Sequence, residues 1–178
     1  VSTQIPEIQG GQVTLEAAQG ATYRLHANYG DTRDNGFGYL VEAHQWQSDG
    51  FQDIDRSDTN TGLDVSDLTV KLAYAPINSA HSAELKLQMT DQDSNQSYLG
   101  LTDTDFSLNS TRRYGMSELD NISTEHSQVI LRYGFKINDD FNFTATAYNN
   151  QHERNWFKTE GIDFDGSDNA QDFSKTSW

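Results

Sequence analysis

The chain has 178 residues, a formal net charge of -15 and no cysteine, with 34% of its residues hydrophobic and 11% aromatic. The length suits one ordinary domain, the acidity excludes a nucleic-acid partner, which requires basic surface, and the missing cysteines exclude disulfides and thiolate metal sites. A disordered chain this charged would be poor in aromatics, so apolar residues must be rationed to one face of each folded element.

Taken in chain order, the elements read as strands, because apolar and polar residues alternate with period two. The first is expected near 11–18, where Val13, Leu15 and Ala17 oppose Thr14 and Glu16. The second, near 22–29, sets Tyr23, Leu25, Ala27 and Tyr29 against Arg24, His26 and Asn28. The third, near 37–48, is mixed, with Tyr39, Val41 and Ala43 opposite Leu40, Glu42 and His44. The fourth, near 63–75, alternates Leu68, Val70, Leu72 and Tyr74 with Thr69, Lys71 and Ala73. The fifth, near 82–91, alternates Ala83, Leu85, Leu87 and Met89 with Glu84, Lys86, Gln88 and Thr90. The sixth, near 126–135, carries Val129, Leu131, Tyr133 and Phe135 on one face. The seventh, near 141–157, does the same with Phe141, Phe143, Ala145 and Ala147. Helical periodicity is nearly absent, and no apolar run approaches the roughly 18 residues of a membrane helix. Val1 and Trp178 read as cut ends, so a piece of a longer protein is expected.

The links between these strands are ordered by length. "GDTRDNG", "PINSAH" and "KINDD" are short and rich in turn residues, as hairpins require. Between them lie long polar links, near Asp49–Gly62, near Gln92–Thr124 and after Lys158; only "QGA" (Gln19 to Ala21) is short on that side. The stretch from Asn95 to about Thr124 shows neither strand alternation nor a helical stripe. Antiparallel strands send alternate links to opposite ends, so one end has tight turns and the other long acidic loops. Outer-membrane barrels have that asymmetry, together with a polar lumen face and an apolar lipid face. An antiparallel sheet with one solvated face gives the same alternation. The two differ in where Leu68, Val70, Leu72, Leu85, Leu87, Leu131 and Phe143 point: outward and uncovered, or into a closed core against a second sheet.

The order of "DLTVKLAYAP", "SYLGLTDTDF", "RRYGMSELDN", "LRYGF" and "TATAYNNQHERNWFK" resembles the barrel of TonB-dependent outer-membrane receptors, especially the ferric-dicitrate-like branch. Upstream, "GYLVEAHQWQSDGFQDID" is similar to the family's third strand and following loop, and "VSTQIPEIQGGQVTLE" to the passage from plug to first strand. The resemblance implies an antiparallel, up-and-down transmembrane β-barrel fragment, about seven strands of a twenty-two-stranded barrel. Residues 1–8 would be the end of the plug domain and 9–178 the partial barrel. It implies short periplasmic turns, long extracellular loops and a location in the bacterial outer membrane. The function implied is active uptake of an iron chelate, a ferric siderophore or ferric dicitrate, which is the transported ligand and not a cofactor. The partners implied are the plug, the remaining barrel, outer-membrane lipid and the TonB–ExbB–ExbD system.

The same resemblance points to Tyr98, Arg112, Arg113 and Tyr114 in the long loop, with Arg154 and Trp156 at the top of the last strand, as ligand contacts. Arginine offers an always-charged donor fork to anionic chelates, and aromatics pack on their organic parts. Alternatively, Arg112 and Arg113 pair with loop acids such as Asp103, Asp105 or Glu118, and Trp156, Phe157 and Tyr148 form an interfacial girdle. Lys71, Glu84, Lys86 and Arg132 would face the plug from the lumen wall. No catalytic constellation stands out, so no enzyme is expected, and the five histidines show no ligand spacing. The acid pairs Asp103/Asp105 and Asp53/Asp55 read as solvated loop charge and not as a Ca²⁺ site, since the EF-hand glycine and distal Glu are missing. A soluble all-β ligand-binding or adhesion domain is the alternative function.

Overall fold

The computed structural model describes residues 3–159. Its chain is mostly antiparallel β-sheet, with strands β1 (Gly10–Ala18), β2 (Thr22–Thr32), β3 (Phe37–Ser48), β4 (Asp53–Ile54), β5 (Leu63–Tyr74), β6 (His81–Ser94), β7 (Arg112–Arg113), β8 (Asn121–Lys136) and β9 (Asn142–Phe157). One 7-stranded sheet follows chain order, β1-β2-β3-β5-β6-β8-β9, and β4 pairs separately with β7. Residues 1–2 and the expected link beyond residue 159 lie outside the described residues.

Turn chemistry sets the tight end. Residues 33–36, 75–80 and 137–141 join β2 to β3, β5 to β6 and β8 to β9. Gly36 adopts φ +83°, and a Cβ there would lie 2.3 Å from the Ala75 carbonyl oxygen, so this corner accepts only glycine. At the other end, residues 49–62 and 95–120 form two long links.

Two expectations about those links are corrected. Strands β6 and β8 run to Ser94 and from Asn121, well past the expected 91 and 126. Their upper residues, such as Asp93 opposite Ser123 and Gln92 opposite Thr124, keep the hydrogen-bonded ladder with Ile122 as the one apolar side chain. The loop also contains a helix, α1 (Asp103–Leu108), where no helical pattern was expected. Its start is set locally: the Thr102 hydroxyl caps the Asp105 N–H at 3.2 Å.

Among the described residues the buried hydrophobic side chains are Leu40, Ile54 and Tyr114, none of them on the sheet's apolar face. Leu68, Leu131 and Phe143 are 45%, 48% and 51% exposed, and Val70 and Leu85 on the same face are half-buried. On the opposite face Lys71 and Thr69 are only 6% and 7% exposed. That is the reverse of a soluble sheet, in which apolar side chains are buried and lysines stand in water. The only other sheet among the described residues, β4-β7, lies in the loops and does not cover the apolar face.

The apolar band crosses the sheet obliquely. On β2 it runs from Tyr23 to Tyr29, but the register carries those levels to Asn155 and Asn149 on β9, which are polar. On β9 the band lies lower, at Phe143, Ala145 and Ala147, opposite Phe135, Tyr133 and Leu131. Aromatics gather at its tight-turn edge, where Tyr29 and Phe37 flank Tyr39 at ring separations of 6.4 and 6.5 Å.

Candidate functional site

The two long links fold onto each other. Parallel pairing of β4 with β7 sets Asp53 beside Arg112 and Ile54 beside Arg113. Backbone hydrogen bonds from Asp53 N to Thr111 O and from Asp55 N to Arg113 O, both 2.9 Å, fix that contact. Arg112 then reaches two carboxylates. Its Nε donates to both Asp55 oxygens at 3.0 Å, and its Nη1 donates to Asp105 Oδ1 at 2.8 Å. The Tyr114 hydroxyl donates to Asp105 Oδ2 at 2.6 Å and accepts the Thr102 N–H at 3.1 Å. One phenol thus closes the cap of α1 from a distant part of the loop. Its hydrogen bond, together with those from Thr102 and Arg112, holds the Asp105 carboxyl below its ordinary range against the opposing effect of burial.

Arg113 is buried in the loop's interior. Its Nε donates to Ser117 Oγ at 2.8 Å, its Nη2 to Ser117 O at 2.7 Å and its Nη1 to the Asn95 carbonyl. Burial pushes this guanidinium toward its neutral form and the Asp120 charge opposes that. Asp120, fully buried, accepts from Ser97 Oγ at 2.7 Å and from Thr159 N at 2.7 Å. Arg112 therefore pairs with Asp105, as the bracing alternative has it, and with Asp55 from the other link; Arg113 bonds Ser117 and the Asn95 carbonyl and none of the acids expected for it.

Tyr98, Arg154 and Trp156 come together elsewhere. Tyr98, 64% exposed, meets Trp156 edge-on at 6.0 Å. Arg154 lies 4.7 Å over the Trp156 ring, and Lys158 Nζ lies 4.5 Å from the Tyr98 ring and 4.9 Å from that of Trp156. Lys158 was not anticipated. Trp156 Nε1 is shielded from solvent without a hydrogen-bond partner among the described residues. The register puts Trp156 beside Ile122 and Tyr148 beside Ile130, both on the polar face, and Phe157 beside Asn121 on the apolar face.

The polar face carries Lys71, Glu84, Lys86 and Arg132 together. Arg132 Nη1 lies 3.7 Å from Glu84 Oε1, and Lys86 Nζ donates to Gln88 Oε1 at 2.6 Å. Lys71 stands opposite Lys86 in the register, an unfavourable pairing of like charges. It is relieved by residues 3–6, which lie on this face: Lys71 Nζ donates to the Thr3 carbonyl, and Thr3 Oγ1 to Glu42 Oε1 at 2.5 Å. Bare backbone makes the seat. A Cβ on Gly30 would meet Pro6 Cδ at 2.7 Å, and one on Gly38 would meet Ile5 Cγ2 at 3.1 Å.

The histidines were read from sequence as scattered, yet the register aligns four of them in one row of this face: His26, His44, His126 and His152. Strand parity predicts the shared face; only the register predicts the alignment. Among the described residues no group of three or more His, Cys, Asp or Glu side chains is arranged to hold a metal, and no helix is long and apolar enough to cross a membrane. Set against known proteins, the chain matches no family model, no curated protein and no solved structure.

Proposed function

We propose that this chain forms the first seven strands of the barrel of a TonB-dependent outer-membrane receptor that takes up an iron chelate. The observation that carries the proposal is the uncovered, oblique apolar band. Between β2 and β9 its centre moves from the level of residue 152 to that of residue 145 over five interstrand steps. With a rise of about 3.3 Å per residue and strands about 4.8 Å apart, that is roughly 23 Å along for 24 Å across, or about 45°. Strands of outer-membrane barrels tilt by about 35–45° to the bilayer normal, so a level bilayer would trace this slope on the sheet. A soluble ligand-binding or adhesion domain has no reason to leave such a band bare.

The remaining features support the same reading. Tight turns lie at one end and mutually braced loops at the other. Residues 3–6 occupy the face where a plug would sit, and Lys71 already holds Thr3. Strands β1 and β9 are open edges that the remaining barrel would pair. In this account the plug, the TonB–ExbB–ExbD system and outer-membrane lipid are the partners. The ligand contacts are Tyr98, Arg154 and Trp156, joined by Lys158, and Arg112, Arg113 and Tyr114 shape the loop that presents Tyr98.

Uptake tests the proposal. A receptor-deletion strain carrying the complete gene should accumulate radiolabelled iron from at least one hydroxy-acid or catechol chelate, and only with an energised inner membrane. No accumulation from any such chelate, with the protein present in the outer membrane, would refute it.

A further inference from the structure

The histidine row holds two cross-strand pairs. Ring centroids are 6.3 Å apart for His26 and His44 and 5.8 Å apart for His126 and His152. Between the pairs the row continues through Asp67 and Thr90, and strand alternation puts all six side chains on the polar face. Two imidazoles sharing one tetrahedral ion, with metal–nitrogen bonds of about 2.0–2.1 Å, have centroids roughly 5 Å apart. To share an ion the rings of either pair would have to close by about 1 Å.

The first pair is the better prepared. His26 Nε2 lies 2.7 Å from Glu42 Oε1. His44 Nδ1 lies 3.1 Å from Asp67 Oδ2, and the other Asp67 oxygen accepts from Thr90 Oγ1 at 2.6 Å. A metal-bound histidine ordinarily gives its second ring nitrogen to a carboxylate, which fixes the tautomer and the ring orientation. Both rings have that partner, and no hydrogen bond engages His26 Nδ1 or His44 Nε2 among the described residues. The pair borders a concavity of about 420 Å³ that Thr3, Glu42, Asp67 and Lys86 also line. The two carboxylates offset a cation's charge there, and the Lys86 ammonium is turned to Gln88 and Gln128.

We propose that His26 and His44 bind one divalent transition-metal ion of the copper, nickel or zinc kind on the polar face, leaving its other positions to water or to a chelate's donor atoms. Imidazole nitrogen is the ligand these ions favour. The site stands on the row's geometry alone; its use as a station for metal crossing a barrel lumen rests on the receptor reading above.

The test uses Cu²⁺ and the purified protein in detergent, followed by calorimetry and by electron paramagnetic resonance. The spectrum should carry the splitting of two nitrogen ligands. The affinity should fall at least tenfold in the His26→Asn/His44→Asn variant, and less in the Glu42→Gln/Asp67→Asn variant. His81→Asn should change nothing, because that ring stacks on Phe135 at 4.7 Å on the other face. An unaltered affinity in the His26→Asn/His44→Asn variant overturns the proposal, as does loss of the ion only in His126→Asn/His152→Asn. A wild-type spectrum without two nitrogens overturns it before any substitution is made. No transport is read, so failure here leaves the receptor reading standing, and failed chelate uptake leaves this site standing.

Discussion

Replacing Arg113 with alanine is expected to open the 95–120 loop and leave the seven-stranded sheet folded. The guanidinium joins the loop's two ends, with two hydrogen bonds to Ser117 and one to the Asn95 carbonyl. Hydrogen bonds from charged donors contribute about 1.5–3 kcal/mol each, and breaking a buried charged network costs about 3–5 kcal/mol. Water can enter the vacated space and satisfy the Asn95 carbonyl, which places the cost near the lower bound. About 3 kcal/mol raises the local opening equilibrium by roughly 100-fold, at 1.4 kcal/mol per factor of ten. Hydrogen exchange followed by mass spectrometry reads this directly, as faster exchange in peptides covering 95–120 and no change across β5 and β6. Arg113→Lys should recover little, because a single ammonium cannot serve three acceptors in a planar fork. Unchanged exchange in the alanine variant would refute the bracing role. Unchanged exchange with weakened iron-chelate binding would return Arg113 to the ligand contacts.

Three other outcomes follow from the same geometry. Leu87→Arg should cost about 2–4 kcal/mol of stability in lipid vesicles, as arginine does on a barrel's lipid face near the midplane, whereas Gln88→Arg on the polar face should cost far less; equal costs in denaturant unfolding would contradict the facing. Gly38→Val should unseat residues 3–6, because its side chain needs the space Ile5 fills, and a spin label at Thr3 would then lose its fixed distance to the sheet. Asp105 has a depressed folded pKa, so the stabilisation from its ionised form is complete above the ordinary carboxylate value of about 3.9 and disappears as pH falls through the folded value. Amide resonances of the 95–120 loop should therefore hold steady from neutrality to about pH 4 and shift below it, and Asp105→Asn should abolish that acid transition.

The strands were legible where one uncovered apolar face imposes alternation, as from Leu68 to Tyr74 and from Val129 to Phe135. They were illegible above it, where Gln92 to Ser94 and Ile122 to Thr124 pair through backbone bonds that make little demand on side-chain hydrophobicity. Helix α1 escaped notice because six residues carry too little amphipathic signal; Thr102 and Asp105 in "TDTD" were the available cue, a cap completed only by Tyr114. The second partner of Arg112 could not be read from sequence, since Asp55 lies on another link and meets it only through the β4–β7 contact. The separation of Tyr98 from Arg112 and Arg113, neighbours in one loop, has the same origin: one side chain leaves toward β9 while the others turn inward.

The central claim is that the exposed apolar face meets lipid. The chain has no cysteine, so each one introduced is a unique labelling site. Single nitroxide labels at positions 68 to 74, with the protein in lipid bilayers, report access to dissolved oxygen and to a water-soluble nickel complex. Labels at Leu68, Val70 and Leu72 should be oxygen-accessible and nickel-protected, and those at Thr69, Lys71 and Ala73 should not follow them. Labels at Leu68, Val70 and Leu72 that are immobile and closed to both reagents would mean that a protein core covers this face, and the account would be wrong.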